Sequence, residues 1–408
     1  MHTDKMRHVH HSKAPPHPSF EYSYRRTKGA TIKLSSRSGE RWSRRRFCIS
    51  VCVSVHLVLV LAYMTLLPFT VTSQEPTISP PTLGSNVNHT IQELALSPRR
   101  CALNFFGLPR AFKRLVLPSM IANVINPNIH YDCDYFVHFF NITFEAPSRS
   151  GKGGYVTPED VYLLRDAVHN AAIQAGRPLP HVGFMFDTSE TFGQKHGSLL
   201  QAIRKNETGE KNPYYGDEQT YTVETYVNII KMWYSISAAW DGMAMHASSQ
   251  NIKYERVAMM RSDVVYLTPI DVFRSAPGRA FDKFNNHSVI PGFSLWPVND
   301  RMFYGPYEAT KIWATGRFPR LDDYVYRKRR ALHSEQFLDA VILPAIRKTA
   351  IPVDQDPSIC FLRARPDGSV WNDCGGLSNK DLLEKLVKLK CTTYQDAVGG
   401  TVFKCPIT

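Results

Sequence analysis

The chain lacks the short signatures of several enzyme classes. It has no His-Glu-x-x-His for a zinc protease and no Gly-x-Ser-x-Gly for a serine hydrolase. Ser150-Gly151-Lys152-Gly153 contains Gly-Lys, but without P-loop spacing or a preceding strand. It reads as a flexible loop, which sets aside a kinase or sulfotransferase that grips phosphate in that way. No Cys-x-x-Cys pair occurs, and no His stands at zinc-finger spacing from a Cys, so the cysteines point away from structural zinc. No internal repeat is visible.

Charge of one sign is scarce where nucleic-acid binding would need it. The 408 residues hold 49 Lys+Arg against 36 Asp+Glu, a net of +13. Residues 1–46 contain four Lys and eight Arg against Asp4, Glu21 and Glu40, a net of +9, which leaves +4 for the other 362 residues. The body is near neutral, and a nucleic-acid partner is not expected.

Charge is missing altogether from residues 47–74. Within that stretch, residues 47–67 are long enough to cross a hydrocarbon core of about 30 Å as a helix. Arg44-Arg45-Arg46 precede it, and a Pro/Ser/Thr-rich segment follows. The positive-inside rule then predicts a cytoplasmic N-terminus and a lumenal or extracellular C-terminus. A cleaved signal peptide is the rival reading, with Val71-Thr72-Ser73 as its cleavage site. The 46-residue leader and the long apolar run favour an uncleaved anchor. The expected organisation is a disordered basic tail at 1–46, a signal anchor at 47–67, a stem at 68–99 and one lumenal domain at 100–408.

Four sequons follow the span, at Asn88, Asn141, Asn206 and Asn286, and none precedes it. Cys48 and Cys52 lie in the span, leaving Cys101, Cys133, Cys360, Cys374, Cys391 and Cys405 for disulfides. Asp367-Gly368 is a hairpin turn signal that returns the chain toward Cys360, so Cys360–Cys374 is the first expected bridge and Cys391–Cys405 the second.

In the domain, apolar runs at 101–106, 134–140, 181–186 and 256–267 read as strands. Helical spacing covers 111–124, a helix from Thr157 to Ala172 with Thr157 as its cap, and 224–247. Alternation of strand and helix predicts an α/β domain with a mainly parallel sheet and a site at its carboxyl edge. Arg261 and Asp263 stand where the fourth strand would deliver them to that edge. A carboxylate there is a hard ligand for Mg²⁺ or Mn²⁺, or else a turn cap. Gly107-Leu-Pro-Arg110 ends the first strand; Gly107 allows close backbone approach and Arg110 is able to reach phosphate, or is merely solvated. Farther on come Asn299-Asp300-Arg301-Met-Phe-Tyr304-Gly305, and then His333-Ser334-Glu335 opening a helix with Ser334 as its cap.

These motifs, in this order behind a type II anchor, resemble the Golgi glycosyltransferases with a GT-A-like (Rossmann-like) nucleotide-diphospho-sugar transferase fold, and more narrowly a little-characterised branch of them. The resemblance spans residues 101 to 374. It implies a nucleotide-sugar-dependent transferase acting on a glycan or glycoprotein acceptor, held as a single-pass protein of the Golgi or ER membrane. It implies Asp263 as ligand of a divalent cation, with His333 as a further contact. Gly107, Arg110, Arg261 and Asp263 would bind the donor, and Asn299, Arg301 and Tyr304 the sugars. Glu335, with Asp300 as runner-up, would be the catalytic base. The family's motif is Asp-x-Asp, whereas this chain has Arg261-Ser262-Asp263, so a guanidinium stands in the place of the first carboxylate. A glycosidase, for which Asp263 and Glu335 would form the carboxylate pair, stays open. So does a non-catalytic lectin-like or adhesion ectodomain.

Overall fold

The computed structural model describes residues 99–147, 153–205, 212–216, 221–274, 286–371, 384, 391–395 and 401–404. The tail 1–46, the span 47–67 and the stem, save Arg99, lie outside them, as do Asn88, Asn206, Cys374 and Cys405. Among the described residues no helix is long and apolar enough to cross a membrane.

The strands are β1 (Arg100–Gly107), β2 (Asp132–Phe140), β3 (Phe144–Glu145), β4 (Gly154–Tyr155), β5 (Val182–Asp187), β6 (Arg256–Arg261), β7 (Val264–Tyr266), β8 (Ser288–Pro291), β9 (Met302–Pro306), β10 (Val353–Asp356), β11 (Phe361–Ala364), β12 (Ser369–Trp371), β13 (Thr392–Gln395) and β14 (Thr401–Lys404). The helices are α1 (residues 112–128), α2 (Leu163–Gln174), α3 (Ser189–Arg204), α4 (Val223–Ser249), α5 (Tyr307–Thr315), α6 (residues 318–327) and α7 (residues 334–347).

Seven strands form one mainly parallel sheet in the order β10-β8-β9-β6-β1-β2-β5. The four apolar runs expected as strands supply its β1, β2, β5 and β6, all parallel. β9 runs antiparallel between β6 and β8. The inner strands are apolar on both faces because helices cover both. Successive residues of β1 alternate between two cores. Leu103 and Phe105 pack toward α1 and α2, while Ala102 and Phe106 pack toward α4, α5 and α7. α4 is long and apolar because it crosses the sheet centre, burying Trp233, Ile236, Trp240 and Met243.

Several helical turns widen just before a proline. The Leu117, Asn126 and Leu343 amides reach back five residues, and Pro118, Pro127 and Pro344 follow them. A proline has no N–H to donate and its ring crowds the preceding turn, which an inserted wide turn relieves.

Residues 256–267 do not form one strand. The chain turns at Ser262-Asp263, ends β6 there, and carries β7 into a second, antiparallel sheet of order β13-β14-β12-β11-β7. Ser262 anchors the turn, its amide and hydroxyl both donating to the Phe106 carbonyl. The break places Asp263 at the seam between the sheets. The β11–β12 hairpin forms as expected over the Asp367-Gly368 turn, with Gly368 at φ 78°.

A disulfide joins Cys101 to Cys133, which are direct neighbours in the β1–β2 register. Cys360 and Cys391 are also disulfide-bonded. Of the sequons, Asn141 and Asn286 are exposed. Two expected caps differ. Thr157 precedes its helix without a side-chain cap bond, and His333, not Ser334, caps α7 through its ring nitrogen.

Candidate active site

Phe106 and Arg261 are partners in the β1–β6 register, so the carboxyl ends of both strands emerge together. β1 stops at Gly107, whose φ of 110° is poorly tolerated by any residue with a Cβ. The turn carries Arg110 back over the strand ends. Its guanidinium grips the Glu145 carboxylate with two nitrogens and donates a third bond to Asp263. From the other side Arg261 forks onto Asp263, Nε to Oδ1 at 2.7 Å and Nη2 to Oδ2 at 2.8 Å. Burial alone would raise the Asp263 pKa, but Arg261 and Arg110 hold it far below the usual carboxylate range. β11 adds two more guanidinium groups. Arg363 is opposite Val264, and the Ala364 amide donates to the Asp263 carbonyl, which brings Arg365 beside Asp263. Burial and the neighbouring Arg363 and Arg110 weigh against the charge on Arg365.

The second carboxyl group of interest follows β8. Asp300 is buried and accepts a 2.5 Å hydrogen bond from the Ser334 hydroxyl, which itself accepts from Trp233 Nε1 at 3.2 Å. Glu335, next along α7, faces Asp300. Burial and the Asp300 charge push its pKa up to about 8, against the pull of Arg301 and Arg363. At neutral pH Glu335 is therefore mostly protonated. Its carboxyl lies 3.3 Å from His333 Nδ1, the ring nitrogen that also caps the Gln336 amide. Asp300 also acts on Arg261, which links the carboxyl pair electrostatically to the arginine cluster.

Not every expected residue joins this site. Asn299 is buried, its side chain closing the loop between the Phe293 carbonyl and the Arg301 amide. Tyr304 is a core residue of β9 with Arg256 over its ring. Neither presents a surface to a sugar. Arg301 remains partly exposed, within electrostatic reach of Glu335.

A polar cluster that sequence reading passed over lies beside Gly107, at the ends of β2 and β5. Asp187 accepts from Tyr234 Oη (2.6 Å), Thr191 Oγ1 (2.8 Å), Lys195 Nζ (2.9 Å) and His138 Nε2 (3.2 Å). Burial disfavours charge on Asp187, yet these donors keep its pKa far below normal. His138 Nδ1 meets Ser235 Oγ at 2.8 Å. The order Ser–His–Asp suggests a nucleophile, but Ser235 is wholly buried within α4 and its oxygen accepts the Gly107 amide at 2.9 Å. This network pins the Gly107 turn, and through it Arg110. The available signal was Thr188-x-x-Thr191, the reciprocal cap of α3.

No protein-family model and no curated protein matches the chain. The site is therefore judged on its own chemistry.

A divalent cation does not fit the residues that surround Asp263. Both carboxylate oxygens are held by guanidinium groups, and the Asp263 side chain has no exposed surface. His333, the other expected ligand, meets Glu335. Among the described residues no three His, Cys, Asp or Glu side chains gather to hold a metal. A cation brought to Asp263 would have to displace two positive groups, and it would stand beside a third, Arg365.

Proposed function

We propose that the chain is a glycosyltransferase of the secretory pathway, GT-A-like in fold. It would be anchored by residues 47–67 in the Golgi or ER membrane and transfer sugar from a nucleotide-diphospho-sugar to a glycan or glycoprotein. The observation that carries this reading is the meeting of Arg110 and Arg261 at adjacent strand ends, coupled through Asp300 to the protonatable Glu335.

The chemistry divides between the two clusters. The acceptor hydroxyl oxygen attacks the anomeric carbon, and the bond from that carbon to the phosphate oxygen breaks. The electron pair leaves on the nucleoside diphosphate, whose charge the guanidinium groups stabilise. The hydroxyl proton passes to the ionised form of Glu335, which the Asp300 charge keeps strongly basic. The Trp233–Ser334–Asp300 chain holds Asp300 in place for this role.

Thermal-shift screening of the purified full chain with UDP- and GDP-sugars tests the reading. A ligand that binds only the folded state raises Tm by mass action. A rise with a nucleotide-sugar supports a transferase. A rise with free sugars alone supports the lectin-like ectodomain.

A further inference from the structure

Exposure separates the charged groups of the arginine cluster. The Arg110 and Arg261 side chains keep 13% and 16% of their surface open, while the Asp263 side chain between them keeps none. A ligand arriving from solvent therefore meets guanidinium groups first and cannot touch the carboxylate. Arg365, just past β11, acts on the same carboxylate. Three arginines thus surround one fully buried carboxylate, with Glu145 as a second counter-ion on the far side of Arg110. Such a surplus of planar, forked donors suits phosphate oxygens, which accept two parallel hydrogen bonds from one guanidinium.

We propose that the donor's diphosphate is bound here by guanidinium groups alone, without a divalent cation, and that Asp263 is the buried counter-ion that aligns Arg110 and Arg261 for it. The proposal deepens the transferase reading and rests on it for the identity of the ligand. It departs from the expectation that Asp263 ligates Mn²⁺ or Mg²⁺. Asp263 becomes a positioning residue, and the roles usual for a cation fall to Arg110 and Arg261: neutralising the diphosphate and stabilising it as it leaves.

The test is calorimetric titration of the detergent-solubilised full chain with inorganic pyrophosphate and with UDP, in EDTA and then with Mn²⁺. Binding in EDTA, with affinity within about twofold of that in Mn²⁺, is expected. Binding that is absent in EDTA and restored by Mn²⁺ would overturn the proposal, and so would absence of binding in both conditions. Asp263→Asn separates the two roles of the carboxylate. As counter-ion its replacement removes the negative charge nearest the phosphate while the amide oxygen still accepts from a guanidinium, so pyrophosphate should bind in EDTA as tightly as to wild type or more tightly. As metal ligand its loss should weaken binding roughly tenfold or more. If Asp263→Asn does not fold, Arg261→Lys decides, since it keeps the charge and loses the fork. Its affinity in EDTA, measured well below its own Tm, should fall about tenfold, and an unchanged affinity would overturn the proposal. Failure of the transferase reading looks different: arginine-dependent pyrophosphate binding in EDTA, with no nucleotide-sugar turned over.

Discussion

Glu335 makes stability depend on pH in a direction opposite to that of most carboxylates. In the folded chain it keeps its proton to about pH 8, whereas unfolded it ionises near 4.5. Between those values the folded state binds one proton more, so raising the pH disfavours folding by about 1.4 kcal/mol per unit. From pH 5.5 to 7.5 the loss would be about 2.7 kcal/mol for a fully enclosed group. The Glu335 side chain is 22% exposed, and water screens part of its field, which leaves about 2 kcal/mol. For a domain of this size that corresponds to a fall in Tm of about 3 °C. His138, His181 and His196 act the other way, because burial lowers their pKa and their neutral forms gain as pH rises. The quantity to measure is therefore the difference between wild type and Glu335→Gln, in thermal melts followed by tryptophan fluorescence at both pH values. Glu335→Gln should gain on wild type by about 3 °C on going from pH 5.5 to 7.5. Equal changes in the two proteins would refute the buried, Asp300-coupled state of Glu335.

Transfer and donor binding should separate in the same variant: Glu335→Gln should lower the transfer rate by ~10²–10⁴ with donor affinity nearly intact, read from kcat beside calorimetric Kd. Replacing Cys101 and Cys133 by Ser opens a link of sequence separation 32 and should cost about 3–4 kcal/mol, measured as a lower denaturation midpoint with a steeper slope. Asn141 and Asn286 are exposed, so glycosidase treatment of the membrane fraction should lower the apparent mass. No change in mass, with residues 100–408 open to protease in sealed vesicles, would reverse the orientation.

The parallel core was legible because a strand buried on both faces must be a continuous apolar run, and residues 101–106 and 134–140 are such runs; residues 181–186 are equally apolar but form the half-exposed edge strand β5. The same logic failed at residues 256–267. There apolar residues flank Asp263 on both sides, and only the distant Arg110 and Phe106 explain why the chain turns. Of the second sheet only the β11–β12 hairpin was legible, from its Asp367-Gly368 turn; the other strands are three or four residues long, too short for alternation to show. α3 was missed because Gly193 and Gly197 interrupt its pattern. At the site, Arg110, Arg261, Asp263, Asp300 and Glu335 share one electrostatic neighbourhood, as their strand-end and helix-start positions suggested. Their partners did not announce themselves. His138 meets residues 49 and 97 positions away, distances over which a single sequence carries no pairing signal. Asn299 and Tyr304 were expected to bind sugars from the motif they share with the resembled family, but one closes a loop and the other fills a core.

The central claim is sugar transfer at the arginine cluster. The direct measurement is turnover of labelled nucleotide-diphospho-sugars by the detergent-solubilised full chain in EDTA, with wild type beside Arg261→Lys and Glu335→Gln. The account predicts that wild type releases nucleoside diphosphate from one donor, and that Arg261→Lys raises the KM for that donor while Glu335→Gln lowers kcat. Wild type that leaves every donor intact, with or without Mn²⁺, while binding free sugars would contradict it.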